Sequence, residues 1–245
     1  MVLNAFRGAL GFLTRLPIGH DERAWEAFRR TPEAFPAAGY VVGALLALAF
    51  ALPVPDPTVA AGFVVWVYLL TGVNHADGLA DLGDAAAVHG TPETRRDVMT
   101  DTTTGVGAVL ALAVTVAALA LAGFALAALP LRTAAGIVLA SEVGAKCSMA
   151  VVARLGEPAH EGMGSQMAGG TRTRALGALA VSLPAALVVV PASVAAVVAA
   201  LAVALWTRQW ANRRLGGISG DVLGATNELS RVMALHAGVI AWTLS

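Results

Sequence analysis

Long apolar runs separated by short polar stretches fill most of the chain. A bilayer core about 30 Å thick takes about 20 apolar residues per helix, with a lower limit of about 17. Seven runs approach or meet that length: 36–52, 57–74, 105–129, 133–153, 175–190, 191–207 and 222–244. The third is the longest uninterrupted one. The fifth and sixth are short and interrupted by Pro184 and Pro191, so they also read as a broken hairpin. Residues 3–18 have an amphipathic pattern and are expected to lie in the membrane interface rather than cross it. No second domain, long linker or internal repeat is visible. Residues 1–245 therefore read as a single all-α domain, a polytopic transmembrane bundle of about seven spans.

Composition supports this reading. The 245 residues are 57% hydrophobic and 13% charged, whereas about a quarter of a soluble domain is charged. Too few charges exist to coat a soluble core of this size. The net charge is zero, which excludes a general basic field for nucleic acid. Cys147 is the only cysteine, so no intramolecular disulfide forms. No secretory leader is expected, because no cleavage site follows the first apolar run.

Arginine placement tests the span model independently, since short cytoplasmic loops are enriched in Lys and Arg. With the N-terminus inside, the cytoplasmic segments hold Arg7, Arg15, Arg23, Arg29, Arg30, Arg95, Arg96, Arg154, Arg172, Arg174, Arg208, Arg213 and Arg214. The outer turns hold only Arg132, and Lys146 and Arg231 fall within spans. This bias predicts a cytoplasmic N-terminus and an external C-terminus. It also predicts that the loops 74–104, 154–174 and 208–221, which carry nearly all the reactive side chains, share the cytoplasmic face.

The main polar motif is His75-Ala-Asp77-Gly-Leu-Ala-Asp81-Leu-Gly-Asp84, directly after the second run. If that helix continues past the membrane surface, Asp77, Asp81 and Asp84 lie at i, i+4 and i+7 on one face. Gly90 and Pro92 then break the chain, and a second short helix from Thr91 brings Asp97 and Asp101 at i, i+4. Five carboxylates sharing one pocket would repel, and some would have to take up protons. A divalent cation removes the conflict, and all-oxygen ligands favour Mg²⁺, Mn²⁺ or Ca²⁺ over zinc. The alternative is an acidic, solvated loop capping two helices. His75 reads as a general base, a ligand or a hydrogen-bonded support behind the ligands.

A second motif, Leu215-Gly-Gly-Ile-Ser-Gly-Asp221-Val-Leu-Gly-Ala-Thr-Asn227-Glu228, opens the last run. Gly217 and Gly220 permit close backbone approach, and Asp221 stands at an N-cap position. Asn227 and Glu228 then fall almost two turns into the membrane, where a carboxylate costs about 2.5 kcal/mol or more and a functional or paired role is the default. The alternative is that Asp221 only caps and Glu228 pairs with Arg231 at i+3. In the fourth run Glu142 and Lys146 stand at i, i+4, an order that favours an ion pair. The loop Gly156–Gly164, containing His160 and Glu161, is polar and glycine-rich, with Arg154 before it and Arg172 and Arg174 after. Its composition suits a nucleotide or phosphate.

These residues resemble the cobalamin synthase (adenosylcobinamide-GDP ribazoletransferase) family. The matching segments are Phe12–Pro17, Phe35–Gly39 with Gly43, Asn74–Asp84, Met99–Asp101 with Gly105, His160–Gly164 and Leu215–Glu228. The HxDGLADxxD and GDxLGAxxE strings are specific, and their order and separation fit. The resemblance implies an integral cell-membrane enzyme that joins α-ribazole, or its 5′-phosphate, to adenosylcobinamide-GDP and releases GMP, with Mg²⁺. It implies catalytic roles for Asp77, Asp81 and His75 and substrate contacts by Arg15, His160, Glu161, Gly164, Gly217, Gly220, Asn227 and Glu228. Metal ligands would come from Asp77, Asp81, Asp84, Asp97, Asp101 and Asp221. The expected partners are the corrinoid nucleotide, the ribazole substrate and the lipid bilayer, with homo-oligomerisation open and nucleic acid excluded. One departure is that the basic residue of the fourth span, Lys146, stands a turn away from Glu142, near which the family carries one. The motif is also similar to that of the CDP-alcohol phosphotransferases, because Asp97-x-x-x-Asp101 matches its second half. The first half does not match, since Asp81 stands where an Arg would follow Ala80. A divalent-cation or metabolite transporter is the remaining alternative, although transport sites usually lie near the bilayer midplane.

Overall fold

A computed structural model describes residues 2–19, 21–169 and 172–245; the side chain of Arg172, one of the expected cytoplasmic arginines, lies outside the description. Among the described residues all regular structure is helical. The helices are α1 (Val2–Leu13), α2 (Glu22–Arg29), α3 (Ala34–Ala47, prolonged by a 3-10 turn Leu48–Ala51), α4 (Asp56–Thr71), α5 (Asn74–Ala87), α6 (Pro92–Met99), α7 (Val106–Ala127), α8 (Leu131–Leu155), α9 (Met163–Met167), α10 (Arg172–Ala186), α11 (Ala192–Arg214) and α12 (Gly220–Thr243). Each of the seven apolar runs is a helix, because lipid offers the backbone no hydrogen-bond partner and a helix satisfies it internally.

Among the described residues, four helices are long and apolar enough to cross a membrane: Ala34–Ala51, α7, α8 and α11. A fifth candidate exists if α4 and α5, bent by 100° at their junction, count as one broken span. Of the other two runs, α10 is 15 residues, with Pro184 inside it. That gives about 22 Å against a core of about 30 Å. The last, α12, has 24 residues, but Asn227, Glu228 and Arg231 lie within it.

The central element is α8, buried along most of its length between α3, α10, α11 and α12. Gly39 and Gly43 of α3 lie directly against Val143 and Leu139 of α8. By contrast α7 turns Val106, Val109, Leu110, Val114, Leu121 and Phe124 outward, an apolar face suited to lipid. The amphipathic α1 packs Ala5, Ala9, Leu10 and Leu13 inward against α2 and α3. Phe12, Trp25, Phe28 and Phe35 form an aromatic cluster at that corner.

Candidate active site

The acidic motif occupies α5, which does not continue α4. Gly72, at φ +74°, ends α4 and turns the chain, a backbone conformation that side-chain-bearing residues rarely adopt. The helix axis swings through 100°, so α5 runs across the starts of α7 and α12. The expectation of a straight extension is corrected here, while the i, i+4, i+7 register of Asp77, Asp81 and Asp84 holds on α5. Gly78 sets the crossing with α12. A Cβ at Gly78 would stand 2.7 Å from Asp221 Cα and 2.8 Å from the Asp221 carbonyl oxygen. Only a glycine lets the two backbones meet so closely, and the contact brings Asp77 and Asp81 beside Asp221.

The carboxylates differ in environment. Asp77 is exposed and Asp81 half-buried. Asp84 is buried, and its two oxygens accept the backbone N–H groups of Gly105 and Ala108, both at 2.8 Å. Asp84 therefore caps the start of α7, where the helix dipole favours an anion. Burial, reinforced by the negative charges of Asp221, Asp77 and Asp84 in that order, pushes the Asp81 carboxyl up to about 6. Asp97 and Asp101 do not join this group directly. Asp97 faces a neighbouring cavity, and the exposed Asp101 accepts the Thr103 N–H at 3.1 Å, which holds its carboxyl below the usual range.

That cavity, of about 260 Å³, is lined by Arg96, Asp97, His160, Ser219 and Asp221 among others. Three segments build it. The first is α6, tied to its surroundings by Arg95, which donates to the Ala85 carbonyl, and by Arg96, which donates to the Leu215 carbonyl at 2.6 Å. The loop after α8 is the second. It is zipped to residues 215–219 through Ala159 N–H to Ile218 O at 2.9 Å and Ile218 N–H to Glu157 O at 2.8 Å. This places the exposed His160 in the cavity wall, where its Nδ1 donates to the Glu161 carbonyl at 2.9 Å. The third is the start of α12. Its N-cap is Ser219, whose hydroxyl accepts the Val222 N–H at 3.3 Å, rather than Asp221 as the sequence suggested. Among the described residues, the Asp221 carboxylate accepts the Ser219 hydroxyl at 3.3 Å, and Asp221 lines the cavity.

The remaining expected site residues are dispersed around this centre. Glu161 is exposed. Gly164 packs on Ser219, Gly217 on Glu157 and Ala159, and Gly220 near Met163, so these glycines shape the loops behind the cavity. The side chain of the exposed Arg15 lies beside Gly72 at the α4–α5 turn, and its N–H donates to the Leu70 carbonyl at 2.7 Å.

Asn227 and Glu228, expected from the sequence to contact substrate, are fully buried. Arg231 donates to Glu228 at 2.6 Å, the i+3 pair weighed as the alternative. It also donates to Glu142, which holds Lys146 at 2.5 Å. The Asn227 amide donates to Glu228 at 2.9 Å and lies 3.1 Å from His75 Nδ1. His75 is thus a buried, hydrogen-bonded residue behind the carboxylates, not an exposed base. The network is charge-balanced, with two carboxylates facing an ammonium and a guanidinium. It locks α8 to α12 and, through His75, to the start of α5. Asn227 Oδ1 and Glu228 Oε2 are buried without a partner.

Among the described residues, no group of three or more His, Cys, Asp or Glu side chains is placed so that it could hold a metal ion. The chemistry of the donors, all carboxylate oxygens, is that which a hard cation prefers. Asp77 and Asp221 are oxygen donors in electrostatic reach of Asp81, and none of the three has a cation paired with it among the described ion pairs. A cation that keeps several waters, as Mg²⁺ does, needs only one or two of them. Sequence reasoning missed Arg96 and Ser219 as cavity residues. The signal for Arg96 was its place beside Asp97, a cation next to an acidic motif.

The family model described as "Cobalamin-5-phosphate synthase" matches residues 5–239. The chain is 52% identical to the adenosylcobinamide-GDP ribazoletransferase of Halorubrum lacusprofundi, over 99% of both chains. It is 44% identical to the protein of the same name from Haloquadratum walsbyi, over the whole of both chains. The like-named protein of Methanocella arvoryzae is 33% identical, over 98% of this chain and 97% of its own. No solved structure matches the chain.

Proposed function

Since this chain belongs to the cobalamin-5-phosphate synthase family, we propose that it is a membrane-bound, Mg²⁺-dependent adenosylcobinamide-GDP ribazoletransferase acting at the α5–α12 crossing. The observation that supports this reading most is the Gly78–Asp221 contact, which joins the two family strings at one place. In the proposed reaction a hydroxyl of α-ribazole, or of its 5′-phosphate, attacks the phosphorus attached to the corrinoid arm. The bond from that phosphorus to GMP breaks, and GMP leaves with the electron pair. Asp77, Asp81 and Asp221 would hold Mg²⁺, with Asp97 at the cavity edge. When bound, the metal supplies neutralisation of the phosphate oxygens and of the leaving group, typically worth several kcal/mol. Asp77, the exposed member of the set, takes the proton from the attacking hydroxyl. Arg96 has one N–H fixed on the Leu215 carbonyl and another on Glu93 at 3.2 Å, and its remaining donors turn toward the leaving phosphate. His75, Asn227 and Glu228 hold α5 against α12 and keep the carboxylates in register.

The orientation belongs to the same proposal. Arg154, Arg213 and Arg214 stand in the last turns of α8 and α11, Arg95 and Arg96 lie on the short α6, and Arg208 reaches the Leu155 carbonyl at the end of α8. This fits seven crossings, a cytoplasmic N-terminus and a cytoplasmic active site in the cell membrane.

The test is product identity. Purified protein is incubated with adenosylcobinamide-GDP, α-ribazole or α-ribazole 5′-phosphate, and Mg²⁺, and released nucleotide is measured. GMP release that requires both organic substrates supports the proposal. CMP release from a CDP-alcohol, with none of GMP, would replace it with the phospholipid-type reading.

A further inference from the structure

A second basic feature lies outside the candidate active site, between the ends of α2, α8 and α10. A cavity of about 280 Å³ there is lined by Arg29, Arg30, Arg154 and Arg174, with Glu26 and Gln166. Four guanidinium groups line the cavity against two carboxylates: Glu26, ion-paired with both Arg29 and Arg30, and Glu33, whose charge reaches Arg154 from outside the lining. Arg154 and Arg174 are held by backbone carbonyls. Arg154 donates to the Gly169 carbonyl at 2.6 Å and to the Arg29 carbonyl at 2.5 Å, and Arg174 donates to the Arg30 carbonyl at 2.8 Å. Carbonyls orient these groups without neutralising them. Among the described residues, the Nε of Arg29 is buried with no partner. Like charges fixed together repel, and an anion with several acceptor oxygens both removes the repulsion and matches the planar donor forks.

The position of the cavity narrows the ligand. Arg154 stands in the last turn of α8, a helix long enough to span, and Arg174 in the first turn of α10. The cavity therefore sits at the level where spanning helices end. Below Arg174, Leu176 and Leu183 on α10 and Leu187 just past its end point outward, 61%, 63% and 70% exposed. Their spacing puts them on one helical face. A phosphate-sized basic cavity at the rim, with an apolar strip descending beneath it, complements an anionic headgroup and its acyl chain. We propose that the cavity of Arg29, Arg30, Arg154 and Arg174 binds a phosphate group, carried by the headgroup of an anionic phospholipid. The site is separate from the acidic centre, and the proposal stands whether or not the transferase reaction does.

The test uses full-length protein in a neutral detergent, titrated with phosphatidylglycerol, with phosphatidylcholine of equal chain length, and with inorganic phosphate. Native mass spectrometry reads the bound species. The variant is Arg30→Gln combined with Arg174→Gln, and the paired Lys substitutions restore charge. Phosphatidylglycerol should bind wild type about tenfold or more tighter than phosphatidylcholine. The glutamine variant should lose that preference, and the lysine variant should recover part of it. GMP release by the glutamine variant in detergent should stay at the wild-type rate. If the double variant does not fold, Arg30→Gln alone carries the test, because that side chain is 72% exposed. Equal binding of the two lipids by wild type, or undiminished preference in the glutamine variants, overturns the site. Competition by inorganic phosphate at the concentrations where the lipid binds overturns the lipid as its source.

Discussion

Gly78→Ala is the smallest perturbation of the crossing on which the proposed active site depends. The new Cβ would stand 2.7 Å from Asp221 Cα and 2.8 Å from its carbonyl oxygen. Non-bonded carbons rest at about 3.5–4.0 Å, so the backbones must part by about 1 Å. Two effects oppose each other. Within a helix, alanine is favoured over glycine by about 1 kcal/mol. Overfilling a tight contact costs about 1–3 kcal/mol. Here the atoms met are backbone rather than the end of a flexible side chain, so the clash wins and the net effect is a destabilisation of about 1 kcal/mol. The functional loss is larger than the stability loss. Parting α5 from α12 moves Asp77 and Asp81 away from Asp221, and a displacement of about 1 Å in a reacting constellation costs about 100-fold in rate. The assay is GMP release at saturating substrates, paired with the thermal midpoint in detergent. Turnover should fall about 100-fold with only a modest fall in midpoint. Full turnover with a raised midpoint would refute the reasoning, because it would mean that helix propensity decides and the crossing is not tight.

Three further outcomes follow from the same geometry. Glu142→Gln strands Lys146 and half of Arg231's partners in the core and should cost about 3–5 kcal/mol; Glu228→Gln should cost less, because Arg231 keeps Glu142, and equal midpoints for the two variants would contradict the network. Asp84→Ala should cost about 1–2 kcal/mol by uncapping α7, with Asp84→Asn recovering part; a wild-type midpoint for the alanine variant would remove the capping role. Cysteines placed at Glu93 and Asp56 should react with an impermeant maleimide from the cytoplasmic and external sides respectively. The native Cys147 is buried, so background labelling should be low. External labelling at position 93 would invert the orientation.

The helices were legible because apolar run length is a one-dimensional signal: all seven expected runs coincide with observed helices to within a few residues at most ends. The register of Asp77, Asp81 and Asp84 was legible for the same reason, since i, i+4 spacing is local. What the sequence did not show depends on direction and on distant partners. Gly72 turns the chain by 100°, and nothing local distinguishes that glycine from one tolerated inside a helix. Ser219 rather than Asp221 caps α12, because both residue types cap well and stand two positions apart. Glu142 meets Arg231 from 89 residues away, so only the neighbouring Lys146 could be named as its partner. Glu228 could be placed in the interior by depth alone, but choosing between a substrate contact and an ion pair required the packing. Asp97 and Asp101 shared a helical spacing, yet Asp101 falls after α6 has ended at Met99 and bonds to its own loop.

The claim that Asp81 and Asp221 hold the metal for phosphoryl transfer is tested most directly by GMP release across a Mg²⁺ titration in wild type, Asp81→Asn and Asp221→Asn. Asn keeps the shape of each side chain and removes the charge that balances the cation. The account predicts Mg²⁺-dependent release in wild type. In both variants it predicts a rate lower by about 100-fold or more, with the Mg²⁺ requirement shifted to higher concentration. Near wild-type release at low Mg²⁺ in both variants would contradict it.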